Sequence, residues 1–467
     1  MGYKTTLCDV SLDGGHYGIA APAVDFKPGL PAYLRITDIN DDGTLNPSDR
    51  KSVDDSSAGN YLLHEGDIVF ARTGNSTGRN YYYDPRDGEY AYAGFLIKFS
   101  LDPRKINPRY MKYYAQSKQY WDWVSSFNTG STRGNINAKT YASMPIDLLS
   151  RQIQDGIVAI CDAIDDKIRI NRQLNDYLEQ CLLARYDHLF RGAGTYNGTI
   201  SDIGDVVGGA TPSKKRPEYY CHEGIGWITP KDLSNTTNKF VAHGADDITR
   251  VGFDSCSIKK LPAGTVLFSS RAPIGYIAIA SDEVTTNQGF KSIVPHKEIG
   301  TAFVYCFLVR NKDRIADAGS GTTFPEVSGK TMAGIELTLP NINLCAKFEE
   351  WASPLLEEQR HLEDENRQLE DLRDTLLPKL MSGEIDVSKV DLTQLTNNHL
   401  SGCGSFCSVC CPSGLASEFH EWFREHFSLV TVTYAKQIWD GRICPKDTKE
   451  EESCRLVVTV IEVGSKN

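Results

Sequence analysis

The spacing of apolar positions along this chain changes character twice, each time after a strand-rich stretch of similar size. Between residues 151 and 191, Ile153, Ile157, Ile160, Ile164, Leu174, Leu178 and Cys181 follow an alternating three-four frame, interrupted by Lys167 and Asn171. That frame predicts a long amphipathic helix. Between residues 347 and 381, Phe348, Leu355, Leu362, Leu369 and Leu376 recur every seven positions. Trp351 and Leu372 occupy the intervening seam, which Glu358 and Glu365 weaken. This is the heptad pattern of a coiled coil. A helix of about 35 residues is roughly 50 Å long. Each helix has a narrow seam and otherwise charged faces, so the simplest partner for each is the other.

The regions before the helices share one plan. Glu65-Gly66-Asp67 supplies turn chemistry, and Ile68–Ala71 reads as a buried strand. Tyr90–Phe99 is a second strand, Pro108–Val124 a helix, and Asn128–Asn137 a Gly- and Asn-rich loop. Residues 200–346 repeat the order. Gly264–Ser269 can be laid on Gly66–Ala71, and Gln288-Gly289-Phe290 on Ala93-Gly94-Phe95. Gly321-Thr322-Thr323 matches Gly130-Ser131-Thr132, with Lys330-Thr331 on Lys139-Thr140 in the same register. The string Asn-Arg-Gln-Leu occurs at Asn171–Leu174 and again at Asn366–Leu369. The expected fold is α+β with an internal duplication: two mixed α/β domains and two long helices paired as an antiparallel coiled coil. The domains fall at residues 1–150 and 192–346 (192–199 being a linker) and the helices at 151–191 and 347–386. Residues 387–467 have no counterpart and no assigned role.

Charge adds a local contrast. The net charge of −11 argues against a nucleic-acid partner until it is divided along the chain. Residues 66–140 carry 11 basic against 6 acidic groups, whereas residues 347–386 carry 5 against 12. Most of the acidity therefore sits on a helix, and a basic patch remains available for DNA. No run of about 18 apolar residues indicates a membrane span. The first residues lack the pattern of a signal peptide, and the 13 cysteines are mostly scattered, which suits free thiols in a reducing cytoplasm. Cys407-x2-Cys410 lies near Cys403, Cys411, His399 and His420 but has no second close pair, so no metal site is expected.

Motifs for chemistry are largely missing. Gly329-Lys330-Thr331 resembles the end of a phosphate-binding loop, but Phe324 stands where its upstream glycine belongs. There is no His-Glu-x-x-His, no Gly-x-Ser-x-Gly and no Asn-Pro-Pro-aromatic motif, so no catalytic residues are assigned. What remains is a set of polar, basic, Gly-rich loops. The candidate DNA-binding residues are Arg72, Thr73, Asn75, Ser76 and Arg79 in the first loop, and Thr132, Arg133, Asn135 and Lys139 in the second. Lys214, Lys215, Arg216 and Lys231 follow, then Ser270 and Arg271, then Thr322, Thr323 and Lys330. Arg can bridge the guanine edge, Asn the adenine edge, and hydroxyls or lysines can reach phosphates.

Several stretches resemble the specificity (S) subunit of type I restriction-modification systems. They are Gly208-Gly209-Ala210-Thr211-Pro212-Ser213, Trp227–Leu233, Tyr33–Ile39, Asp165–Ile168 running into Asn171–Leu174, and Leu377–Gly383. The first half lacks the Gly-x-Thr-Pro-Ser opening, so its turn is expected to be built differently. The resemblance implies two target-recognition domains, each reading one half of a split, asymmetric double-stranded DNA target, with the paired helices as a spacer. It implies a cytoplasmic, non-catalytic subunit that recruits two modification subunits and the restriction subunits. S-adenosylmethionine, ATP and Mg would belong to those partners, with no cofactor in this chain. Two other classes stay open: a coiled-coil scaffold with two protein-binding modules, and a stand-alone nucleic-acid-modifying enzyme.

Overall fold

The computed structural model describes residues 3–46, 49–127, 134–190, 196–271, 273–319 and 325–387. They form two compact units, one of residues 3–167 with 369–387, the other of residues 168–368. The cysteine cluster beyond residue 400 lies outside the described residues. Among those described, Cys8, Cys161, Cys181, Cys221, Cys256, Cys306 and Cys345 are free thiols. No helix there is long and apolar enough to cross a membrane.

In the first unit a four-stranded sheet has the order His16–Tyr17, Leu96–Ser100, Asp67–Ala71, Asn80–Tyr82. The expected buried strand is Asp67–Ala71, with every residue inside. A second sheet pairs Ala32–Leu34 in parallel with Tyr90–Tyr92. Three short helices follow: α1 (Pro108–Tyr114), α2 (Lys118–Ser125) and α3 (Ala138–Ala142). Their aromatic residues pack on the first sheet, where Phe70 stacks on Tyr141 with centroids 4.9 Å apart. The long helix α4 (Arg151–Phe190) begins in this unit.

The second unit repeats the design. Its main sheet has the order Gly204–Gly208, Lys291–Pro295, Val266–Phe268, Ile277–Ala280, with Phe240–Val241 added at one edge. Trp227–Ile228 pairs in parallel with Thr285–Thr286, as Tyr33–Leu34 does with Ala91–Tyr92. Helices α5 (Pro230–Ser234) and α6 (Arg250–Asp254) are short; α7 (Thr301–Asp317) is the main core helix and α8 (Gly329–Ala333) corresponds to α3. The second long helix, α9 (Ile342–Ser382), starts earlier than its heptads suggested. Asn341 accounts for this, because its side chain accepts a hydrogen bond from the Asn343 N–H at 2.9 Å and caps the first turn.

The long helices pack on each other and run antiparallel. In the second unit Asn171 donates to Asn366 at 3.0 Å and Asn175 to Glu363 at 3.2 Å. In the first unit Arg373 reaches Asp165 at 3.2 Å. Partner numbers rise on one helix as they fall on the other, which defines the direction. The two copies of Asn-Arg-Gln-Leu thus meet at their first residues.

The expected Phe348 and Leu362 are buried, but at the other three heptad positions the buried residue lies one place beyond the expected leucine or the leucine is only partly covered. Leu355, Leu369 and Leu376 are only half-buried, whereas Leu356 and Leu377 are buried. On α4 the expected Ile157, Ile160, Ile164 and Cys181 are buried, together with Cys161, Ile168 and Leu182, whereas Ile153, Leu174 and Leu178 are only half-buried. Leu372, placed in the seam by its heptad, is 46 % exposed. Several buried seam positions are polar: Asn171, Gln359, Glu363 and Asn366. Each finds partners. Glu363 accepts from the Lys239 and Phe240 backbone N–H groups at 2.8 and 3.0 Å. Gln359 accepts from Lys239 Nζ at 2.6 Å, and Glu179 pairs with the same ammonium. In the first unit Arg109 forms a two-bond pair with Asp162 at 2.6 and 3.0 Å.

Burial works against ionisation of Asp165, but Lys112 and Arg373 outweigh it and hold its carboxyl below the usual range. The stability it contributes is therefore present above the ordinary carboxylate pKa and lost as pH falls through the lowered one. Asp165→Asn is expected to cost about 3 kcal/mol near pH 7, the scale of breaking a buried pair. The difference from wild type should shrink towards pH 3, as read from urea unfolding at both pH values.

Candidate nucleic-acid interface

Each unit builds its candidate surface on the same backbone framework. Gly18 and Gly209 open it. A Cβ on Gly18 would lie 2.2 Å from the Tyr92 carbonyl oxygen, and one on Gly209 2.1 Å from that of Thr286. The following N–H groups, of Ile19 and Ala210, donate to those same two oxygens at 3.0 Å. The Tyr33 hydroxyl donates to the Ile19 carbonyl at 2.9 Å, and the Trp227 indole N–H to that of Ala210 at 3.2 Å. Asp38 accepts from the Arg35 N–H at 2.8 Å, and Asp232 from the Thr229 N–H at 2.7 Å. The opening turn is thus built alike in both halves, contrary to expectation. The first half lacks the sequence of the motif but keeps its glycine.

The correspondence continues at the loop after the central strand. Arg72 N–H donates to Phe95 O at 3.1 Å, and Ser270 N–H to Gly289 O at 2.7 Å. Ile136 N–H donates to Arg72 O, and Val327 N–H to Ser270 O, both at 2.9 Å. Asn137 caps α3 through the Thr140 N–H, and Ser328 caps α8 through that of Thr331. These bonds place Phe95 on Gly289 and Leu96 on Phe290, one residue away from the alignment by identity. Burial agrees: Leu96 and Phe290 are fully buried, whereas Phe95 is 58 % exposed.

On this shared framework the side chains diverge. In the first unit the Arg72 guanidinium lies over the Tyr17 ring, 5.1 Å from its centroid. Thr73 bridges to Asn135, and Asn135 and Lys139 are exposed. Asn75 is exposed in the turn Gly74–Ser76, while Ser76 is buried. Arg79 is held by Asp41 at 2.7 Å and the Ile39 carbonyl at 3.0 Å. Thr132 and Arg133 lie outside the described residues.

In the second unit Ser270 is fully buried, its hydroxyl donating to Gly289 O at 3.1 Å. Arg271 pairs with Glu326 at 3.0 Å, and Lys291 reaches Glu326 at 3.4 Å. Burial alone would raise the Glu326 carboxyl, but Arg271 and Lys291 bring it below its usual value. Lys330 is exposed on α8, and Lys231 on α5. Lys214, Lys215 and Arg216 stand exposed on a turn, with Arg216 3.4 Å from Glu218. Thr322 and Thr323 lie outside the described residues. The structure thus gathers Arg72, Thr73 and Asn135 in one unit and Arg271 with Lys291 and Glu326 in the other. Tyr17, Phe95 and Lys291 were not among the sequence candidates; the ladder register at His16–Tyr17 and Gly204–Gly208 is the signal that exposes them.

A duplicated framework carrying two different polar surfaces agrees with the comparison to known proteins. The family model "Type I restriction modification DNA specificity domain" matches twice, over residues 33–180 and 195–344. The chain belongs to this family. Curated relatives are named specificity subunits. One is the type I restriction enzyme MjaIX specificity subunit of Methanocaldococcus jannaschii, 43 % identical over 145 residues. That alignment covers 30 % of this chain and 33 % of the relative, so this chain matches only a third of that protein. The HindI specificity subunit of Haemophilus influenzae is 22 % identical, covering 69 % of this chain and 87 % of the relative. The solved S subunit of a type I system from M. genitalium is 17 % identical, covers 81 % of this chain and 96 % of its own, and superposes with a TM-score of 0.49.

Within this family member the framework glycine makes a sharp prediction. Gly209→Ala would force a Cβ against two carbonyl oxygens, at 2.1 and 2.2 Å. Overpacking of this kind costs about 1–3 kcal/mol, so a fall in melting temperature of several degrees is expected. Gly14→Ala, with nothing within 4 Å of its Cβ, should leave melting unchanged.

Proposed function

We propose that this chain is the DNA-recognition subunit of a type I restriction-modification complex and carries no catalysis of its own. Each unit reads one half of a split, asymmetric duplex target. The chain recruits two modification subunits, which bring S-adenosylmethionine and methylate adenine, and restriction subunits, which bring ATP and Mg. The observation that carries this reading is the twofold family match on a framework whose exposed side chains differ between the units. Identical frameworks suit a common way of approaching a duplex; different side chains suit different half-sites.

The exposed cations support a backbone-contacting role. Lys139 and Lys330 occupy equivalent places on α3 and α8, and both are exposed. A lysine that neutralises a phosphate releases a counterion, so affinity falls with salt. Lys139→Ala and Lys330→Ala are each expected to weaken binding of all duplexes alike and to lower the log–log salt slope by about 1. Fluorescence anisotropy of the complex with its modification subunits, across a salt series, reads both. The direct test is a map of methyladenine in host DNA with and without this gene. Loss of one split motif with a fixed unread gap supports the reading; unchanged methylation in a host expressing all subunits overturns it.

A further inference from the structure

The most informative group left unexplained is Arg72. Its Nε is buried and has no hydrogen-bond partner among the described residues. No ion pair engages its guanidinium there, in contrast to Arg79 on Asp41 and Arg271 on Glu326. A partly desolvated guanidinium without an acceptor is costly, and its planar fork suits a bidentate acceptor. The surroundings restrict which acceptor fits. Arg72 rests on Tyr17, itself 43 % exposed, and its N–H is bonded to the carbonyl of Phe95, 58 % exposed. One uncovered ring against the guanidinium, and a second on the residue bonded to its backbone, are a poor setting for a hydrated phosphate. They suit a base edge, where guanine O6 and N7 form the bidentate acceptor and the thymine C5-methyl is the apolar feature of the major groove.

The arrangement is fixed in advance. The Arg72 backbone is bonded on both sides, to Phe95 O and from Ile136 N–H. The Tyr17 hydroxyl accepts from the Ala138 N–H at 3.2 Å, tying the ring to the start of α3. The second unit has none of these side chains at the matching positions. Tyr17 corresponds to Gly208, since Tyr17 pairs with Ile97 and Gly208 with Lys291 on equivalent strands. Phe95 corresponds to Gly289 and Arg72 to the buried Ser270. The space over Gly208 is taken by Lys291, whose Cδ would lie 3.8 Å from a Cβ placed there.

We propose that Arg72, Tyr17 and Phe95 determine the specificity of the first unit, Arg72 binding a guanine edge while the rings contact the methyl of a neighbouring thymine. This rests on the DNA-recognition reading above. In the second unit glycines, Gly208 and Gly289, stand at the positions of both rings.

The test uses the assembled complex with its modification subunits and duplexes carrying the methylated motif. Thymines are replaced singly by uracil, which removes only the methyl, and guanines by 7-deazaguanine, which removes N7. For wild type, one uracil and one adjacent 7-deazaguanine in one half-site should each weaken binding, the latter about tenfold or more. Phe95→Ala should be indifferent to the uracil, and Arg72→Ala to the 7-deazaguanine. Both variants should still discriminate the other half-site, which also reports that they are folded. Loss of affinity by Arg72→Ala for all sequences alike would make it a phosphate contact and overturn the proposal. So would a wild type insensitive to every uracil and 7-deazaguanine in both halves. Failure of the wild-type complex to bind the duplex at all would instead overturn the DNA-recognition reading itself.

Discussion

One buried carboxylate organises the second unit. Glu363 occupies a seam position of α9, where an apolar side chain would be the ordinary choice, and it is 4 % exposed. Burial raises its pKa, and bonds from the Lys239 and Phe240 N–H groups and from Asn175 oppose that rise. It therefore joins three elements at once: α9 by its own backbone, α4 through Asn175, and the sheet edge through residues 239 and 240. An apolar seam could slide by a turn with little loss of burial. A carboxylate with three donors cannot, because every other register strands a buried charge. Gln359, Glu179 and Tyr305 extend the constraint, with Lys239 Nζ lying 4.7 Å from the Tyr305 ring centroid.

The first unit solves the same problem with different chemistry. There Asp162 and Asp165 on α4 meet Arg109 and Lys112 of α1, and Tyr113 donates to both carboxylates. Both units thus fasten a long helix to their own globular part through charge rather than apolar contact alone. Such networks are satisfied in one geometry only, which gives a recognition surface a defined orientation on its helix.

The large features were legible in the chain, and the errors have a common physical cause. Periodicity revealed both helices, and the paired Asn-Arg-Gln-Leu strings revealed the duplication. The seam was found at Phe348 and Leu362 and along most of α4, but at Leu355, Leu369 and Leu376 it was misplaced, because counting leucines cannot see buried Gln359, Glu363 and Asn366. Identity likewise aligned Phe95 with Phe290, although one faces solvent and the other the core. The missing Thr-Pro-Ser suggested a different turn in the first half, yet only the glycine is required by the close approach of carbonyl oxygens. At the candidate surface, composition identified the basic loops but not their commitments. That Arg79 is held by Asp41, and Ser270 sealed under Gly289, depends on contacts across 38 and 19 residues of sequence. Tyr17 and Phe95 were passed over because aromatic residues in short strands ordinarily join a core.

The bonds that hold the loop framework at Arg72 and at Ser270 run between backbone atoms. Such bonds are blind to the identity of the side chain that projects between them. Arginine, tyrosine and phenylalanine in one unit stand where serine and two glycines stand in the other, and the ladder is the same. Exposed positions such as Phe95 can therefore change without disturbing the ladder, whereas Ser270 is buried and a Cβ on Gly289 would lie 2.9 Å from Pro230 Cγ, so exchange there requires neighbours to move. The backbone scaffold is thus common to both units, while the room around each position decides which side chains it can carry.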